Sequence, residues 1–200
     1  MWAKLESNTI VEILTRPKAL NIGDVKYPQN IFSMWTTAEL AVIGIVPVTV
    51  DNTNLKDKEY YINTNQSFAY STETGVATAT YGTATAKAIA DTLYTAQDET
   101  DGLGTEGEVK QRGLKYNHKE IINQQAAGIL QSTDWMIIRA ADGGTAVPSD
   151  ITTKRAAVRT KANSMQAQID GATNVDALAA LYVYNDAETP VRPLGEFPTV

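Results

Sequence analysis

His118 is the only histidine in this chain of 200 residues, and there is no cysteine. A Ser-His-Asp triad or an imidazole metal site would therefore have to be built on His118, while disulfides, thiolate nucleophiles and thiolate metal sites are out of reach. His118 falls on a stripe with Leu114 and Ile121 at three- and four-residue spacing, which assigns it to half-buried packing on a helix. Gly102-Leu103-Gly104-Thr105-Glu106-Gly107 has the glycine spacing of a dinucleotide-binding turn. Such a turn must leave a buried strand and offer a positive helix terminus to pyrophosphate, whereas Asp98, Glu99, Asp101, Glu106 and Glu108 surround it and repel an anion. Asp98-Glu99-Thr100-Asp101-Gly102 lacks the alternating oxygen ligands of a calcium loop and leaves room for a structural cation at most. No pair of carboxylates is set in an apolar or aromatic stretch that would tune it for acid-base work. No catalytic residue, cofactor or metal site is expected.

The other side chains with binding chemistry are aromatic and cationic. Trp2, Trp35 and Trp135 can each stack on a sugar, although core burial is the commoner use of so few tryptophans. Arg139, Arg155 and Arg159 accompany Glu120 and Asp134, which points to intramolecular ion pairs. Lys110, Arg112, Lys115 and Lys119 follow an acidic stretch and compensate its charge. The formal charge of -6 and pI of about 4.8 oppose a nucleic-acid surface, which needs clustered cations to displace counterions. The longest apolar run, Leu40 to Val48, contains Gly44 and Pro47 and is too short to cross a membrane. The first residues lack the basic and apolar regions of a signal peptide, so none is expected.

The elements that must position these residues are legible in outline. Ile10, Val11, Ile13 and Leu14 form a strand that ends at Arg16-Pro17. Thr36-Thr37-Ala38-Glu39 has capping-box form, and Gly44 stands where a helix C-cap needs it. Ile45, Val46, Val48 and Val50 alternate into a strand that turns at Asp51-Asn52-Thr53-Asn54. Residues 59–63, 67–70 and 76–81 read as a three-stranded meander. Residues 91–108 are acidic, contain three glycines and offer little to bury, which reads as a linker. From Val109 the apolar residues recur at helical spacing as far as Leu130. A short helical segment follows to Asp142-Gly143-Gly144, and a long helix starts after Pro148 with Ile151, Arg155, Val158, Ala162, Met165 and Ile169 along one side. Thr173-Asn174-Val175-Asp176 opens a third short helix with capping-box form, and the proline-rich end from Pro190 reads as extended. The expected class is α+β: a β-rich domain over 1–90 with one short helix, the linker 91–108, and over 109–200 a helical hairpin with a short third helix.

The segment Gln125-Ala126-Ala127-Gly128-Ile129-Leu130-Gln131-Ser132-Thr133-Asp134-Trp135, then Val147-Pro148, then Lys154-Arg155-Ala156-Ala157-Val158-Arg159, resembles the C-terminal module of phage tail assembly chaperone and tail-fibre assembly proteins. Thr133 or Asp134 is expected to cap the turn after the first helix, and Trp135 to wedge between antiparallel helices. Arg155 and Arg159, one turn apart, would share a face. Tyr27-Pro28, Trp35, Glu39-Leu40, Ile43-Gly44-Ile45 and Val48 are similar to a module on small tail-fibre-associated virion proteins. The two likenesses cover roughly half of the chain. Where the chaperone pattern has polar residues after the tryptophan and a tyrosine before the first helix arginine, this chain has Met136-Ile137-Ile138 and Lys154. The added apolar surface suits a permanent interface.

The resemblance implies a structural component of a tailed-phage tail or tail fibre, made in the host bacterial cytoplasm. It would contact other tail or fibre proteins and further copies of itself, without nucleic acid or membrane insertion. The contact residues implied are Trp35, Leu130, Thr133, Asp134, Trp135, Met136, Ile137, Arg155 and Arg159, with the stripes of the two long helices as the oligomer surface. A tail-fibre assembly chaperone is one alternative, and a receptor- or glycan-binding module using Trp35, Tyr60, Tyr61 and Tyr70 is another.

Overall fold

A computed structural model describes residues 1–199, which fold as two compact units, one of residues 1–85 and the other from Ala86 onward. The first unit is β-rich and the second mainly helical, so the α+β class holds.

In the first unit β1 (Trp2–Glu6) and β2 (Thr9–Leu14) form a hairpin. Its turn residues, Ser7 and Asn8, both have positive φ, the conformation whose twist matches that of paired strands. A small ribbon of β3 (Leu20–Ile22) and β4 (Val25–Tyr27) precedes two short helices, α1 (Ile31–Met34) and α2 (Thr37–Val42). The capping box at α2 is formed: the Thr36 hydroxyl accepts from the Glu39 N–H, and the Glu39 carboxylate accepts from the Thr36 N–H. Gly44 then takes φ +78°, and its carbonyl accepts from the Leu5 N–H at 2.7 Å. This close approach sends the chain into β5 (Ile45–Asp51) alongside β1.

The remaining strands are β6 (Tyr61–Ile62), β7 (Gln66–Ser71), β8 (Val76–Tyr81) and β9 (Thr85–Ala86). The five-stranded sheet runs β2-β1-β5-β8-β7, with β5 and β8 parallel and Val48 opposite Ala77. The expected meander is therefore corrected to one hairpin, β7–β8, while β6 pairs with β9. The reason is local: Asn63 bonds the N–H and carbonyl of Lys56, and Thr64 accepts from the Gly82 N–H, so this segment is held away from β7. Successive residues Ile45 and Val46 are both buried and serve opposite faces of the sheet. One face packs Leu14, Leu20, Ile31, Leu40 and Ile45 with Trp2 and Trp35 against them; the other packs Ala3, Val46 and Ala77.

In the second unit the stretch expected as a linker is folded. The strands β10 (Thr92–Leu93) and β11 (Val109–Gln111) pair around α3 (Ala96–Thr100), which has its own capping box from Thr95 and Asp98. Its carboxylates are used rather than repelled: Asp98 pairs with Lys110 at 2.6 Å, Asp91 pairs with Arg112 at 2.6 Å, and Asp91 also accepts from the Gly113 N–H. Asp91 thereby closes the start of α4 (Leu114–Gln131). Then follow α5 (Asp134–Ala141), α6 (Ser149–Gly171) and α7 (Val175–Ala180). The helices α4 and α6 are antiparallel, with Lys119 paired to Asp170, Gln166 bonded to Asn123, and Arg155 bonded to Leu130.

Their facing side chains are Leu114, His118, Ile122 and Ala126 on α4, and Arg155, Val158, Ala162, Met165 and Ile169 on α6. Val175 and Leu178 of α7 complete the core, as does Leu194 of the tail, which is fully buried. The tail is not simply extended: Leu194 donates to the Leu181 carbonyl, Lys161 bonds the Leu194 carbonyl, and the chain turns from Arg192 to Gly195. The N-cap of α7 is Asn174, one residue after the expected Thr173. Among the described residues no helix is long and apolar enough to cross a membrane.

Two measurements follow from these contacts. A Cβ at Gly44 would lie 2.8 Å from the Leu5 carbonyl oxygen, whereas one at Gly75 would meet nothing within 4 Å. Gly75→Ala should lose about 1–2 kcal/mol in urea denaturation, from its positive φ alone, and Gly44→Ala clearly more. The Asp98 carboxyl is held down at about 2, first by the Lys110 hydrogen bond and then by the Thr95 N–H and hydroxyl. Its support of α3 is complete above its unfolded value of about 4. That support is lost as pH falls through about 2. Side-chain carboxyl NMR should show Asp98 titrating there, and Lys110→Met should raise it.

Candidate functional site

The buried residues of α6 recur as Arg155, Val158, Ala162, Met165 and Ile169, alternating three and four residues in the pattern of helices packed side by side. Arg155 is the only charged member of that series, and its desolvated guanidinium needs partners. Nη1 donates to the Leu130 carbonyl at 2.7 Å and to the Thr133 hydroxyl oxygen at 2.5 Å, and Nη2 donates to Asp134 Oδ1 at 2.7 Å. The Thr133 hydroxyl in turn donates to the Leu130 carbonyl at 3.0 Å. Leu130 lies in the last turn of α4 and Asp134 begins α5, so a cation meets the negative end of one helix dipole while a carboxylate meets the positive end of the next. One side chain therefore ties α6 to the junction of two other helices.

The helix this junction orients has the sequence Asp134-Trp135-Met136-Ile137-Ile138-Arg139-Ala140-Ala141, mostly apolar. Met136, Arg139 and Ala140 are half-buried. Trp135 is 53% exposed, Ile137 41% and Ile138 62%. The Arg139 guanidinium lies 4.9 Å from the centre of the Trp135 ring, which orients the indole on the surface. Gly143 with φ +82° and the bond from the Gly144 N–H to the Arg139 carbonyl end the helix. The result is an apolar helix, ended at Gly143 and braced from beneath, that leaves Trp135 and Ile138 exposed.

The residues expected at the site divide accordingly. Leu130, Thr133, Asp134 and Arg155 meet. Trp135, Met136 and Ile137 lie next to them on α5, but Trp135 does not wedge between helices, because the junction turns α5 so that the indole faces outward. Neither Thr133 nor Asp134 makes a side-chain cap on α5; both are engaged by Arg155 instead. Arg159 is exposed while Arg155 is buried, so the two do not share a face. Trp35 is in the other unit, half-buried on the core and edge-on to Tyr27 at 5.7 Å. The stripes of the long helices are largely consumed inside the chain, which removes them as the oligomer surface. Ile138 is the exposed residue the expected set omitted, although it stands in the same apolar run.

His118 is more deeply buried than a half-exposed packing residue, and its Nδ1 lies 2.8 Å from the Tyr182 hydroxyl. Among the described residues no group of three or more His, Asp or Glu side chains could hold a metal ion. Compared with protein-family models, with curated proteins and with solved structures, the chain matches none.

Removing Asp134 leaves the buried guanidinium without the carboxylate that it pairs with. Asp134→Ala should lower stability by about 1–3 kcal/mol in urea denaturation. Glu12→Ala, which breaks the exposed pair with Lys18, should change it by less than about 1 kcal/mol.

Proposed function

We propose that this chain is a non-catalytic structural component of a tailed-phage virion, associated with the tail or a tail fibre and acting through protein-protein contacts. The observation that carries the reading is the apolar face of α5, with Trp135 and Ile138 exposed on a braced helix. A helix apolar on nearly all sides is normally covered, and an exposed apolar patch marks a contact surface. Because the Arg155 cluster already orders α5, binding there needs little further ordering, which favours affinity. The association with phage tails rests on the resemblance of residues 125–159, whose Thr133, Asp134 and Arg155 are the residues that meet at the junction. The partners are then other tail or fibre proteins and further copies of the chain, in a particle assembled in the bacterial cytoplasm.

One observation favours a tail-fibre assembly chaperone as the second reading. Three exposed apolar side chains on one short helix are a small surface, whereas a stable interface buries roughly 800 Å² on each partner. The glycan-binding alternative has less support, since Tyr60 is buried and Trp35 and Tyr70 pack against cores.

Mass spectrometry of purified particles should find the chain at fixed stoichiometry with other tail proteins; its absence from particles, together with co-purification of a fibre protein from infected cells, would select the chaperone. The pair Trp135→Ser and Ile138→Asp should abolish incorporation with the melting temperature unchanged. Normal incorporation of that variant would remove α5 as the contact.

A further inference from the structure

The break between α4 and α5 has an unusual cause. Between Gly128 and Gly143 there is no glycine or proline, so the residues that ordinarily break or kink a helix are missing from the junction. Ser132 keeps helical backbone angles, and Thr133 departs from them, with φ −115° and ψ 2°. The Leu130 carbonyl, which in a continuous helix would accept from the Asp134 N–H, instead accepts from the Thr133 N–H, the Thr133 hydroxyl and Arg155 Nη1. A side chain inserted into the helical hydrogen-bond ladder is a recognised cause of a bend, and here two reach the same carbonyl, the Thr133 hydroxyl from the chain at the break and the Arg155 guanidinium from α6.

The apolar spacing ignores the break. Ile122, Ala126, Ile129, Thr133, Met136 and Ala140 alternate four and three residues apart across it, with Thr133 the one polar member of the stripe. The opposing helix continues as well: Ile151 lies one turn before Arg155, on the side toward which α5 would extend if α4 ran straight. Residues 142–148 would then serve as the loop of a longer hairpin.

We infer that residues 114–141 have two states, the bent one held by the guanidinium of Arg155 on Leu130, Thr133 and Asp134, and a straight one in which α4 and α5 form a single helix. In the straight state the Asp134 N–H takes the Leu130 carbonyl, and Met136 and Ala140 join the stripe of Ile122, Ala126 and Ile129. The Trp135, Ile137 and Ile138 face then projects along the hairpin axis rather than from its corner. A partner that grips this face in one state selects that state, so Arg155 sets how the contact surface is presented.

The test requires no partner, so its failure is distinct from a failure of the contact reading. The chain has no cysteine, and Asn117→Cys with Ala141→Cys carries two spin labels at exposed positions. In a straight helix their backbones lie roughly 36 Å apart, from a rise of about 1.5 Å per residue, and closer in the bent state. Arg155→Met should raise the ratio of straight to bent molecules by about tenfold, the scale set by losing hydrogen bonds from a charged donor. Its Thr133 and Asp134 backbone chemical shifts should become helical, with an Asp134 amide newly protected from exchange. A folded Arg155→Met protein with wild-type label distances and a non-helical Thr133 overturns the inference. Should Arg155→Met fail to fold, Thr133→Leu decides: it removes the hydroxyl from the ladder and adds an apolar side chain to the stripe, and an unchanged distance there overturns the inference equally.

Discussion

A guanidinium taken out of water must find fixed acceptors, and Arg155 finds three at the place where α4 ends and α5 begins. Much of the second unit is arranged around that requirement. The bonds to Leu130, Thr133 and Asp134 set which residues of α4 and α6 face one another, because sliding the helices by a turn would strand the charge. They also place a cation on the Leu130 carbonyl near the end of α4 and leave a carboxylate at the first turn of α5, so that both helix dipoles are favourably met. Asp134 remains half exposed, which leaves its own hydration largely in place while it partners the buried arginine. A polar group inside a largely apolar helix seam is a known means of specifying register at some expense in stability.

The opposite end of the same hairpin is closed by different chemistry. Asp91 receives the Gly113 N–H at the start of α4, Lys119 pairs with Asp170, and the tail lays Leu194 into the core with its carbonyl held by Lys161. Two long helices cannot cover both of their apolar stripes, and α7 with Leu194 supplies the missing layer at that end. At the Arg155 end the next segment in the chain is α5, whose outer side is itself apolar. Exposed apolar surface is therefore found on one short helix at the end of the long stripes rather than along them, where periodicity alone would put it.

In the first unit the corresponding constraint is a close backbone approach. Gly44 stands against Leu5, which brings β5 beside β1 immediately after a helix and leaves the far edge of β5 to β8. The parallel pairing of β5 with β8 was not legible, since alternation in Tyr60 to Tyr81 shows strands but not which strand lies beside which. What separated β6 from the hairpin were side-chain bonds, from Asn63 to Lys56 just before it in the chain and from Thr64 across to Gly82. The folding of residues 91–108 was hidden for a similar reason. Acidic, glycine-containing composition with little to bury suggested a linker, but Lys110 and Arg112 pair with Asp98 and Asp91 around a two-stranded ribbon that only the folded chain creates.

The sequence by itself determined the elements whose signals are local: the capping box at Thr36 and Glu39, the glycine stop at Gly44, the helical periods of α4 and α6, and the apolar run in α5. These depend on neighbours within a few residues, where backbone sterics and side-chain spacing act directly. It also placed Leu130, Thr133, Asp134 and Arg155 among nine expected contact residues, without assigning bonds between them. Tertiary structure alone decided that Arg155 is buried and Arg159 exposed, that Trp135 faces outward, and that Thr133 serves a guanidinium rather than a cap. Each of those outcomes depends on which acceptor lies within hydrogen-bond reach of a desolvated charge, and that distance exists only once α6 has packed against α4.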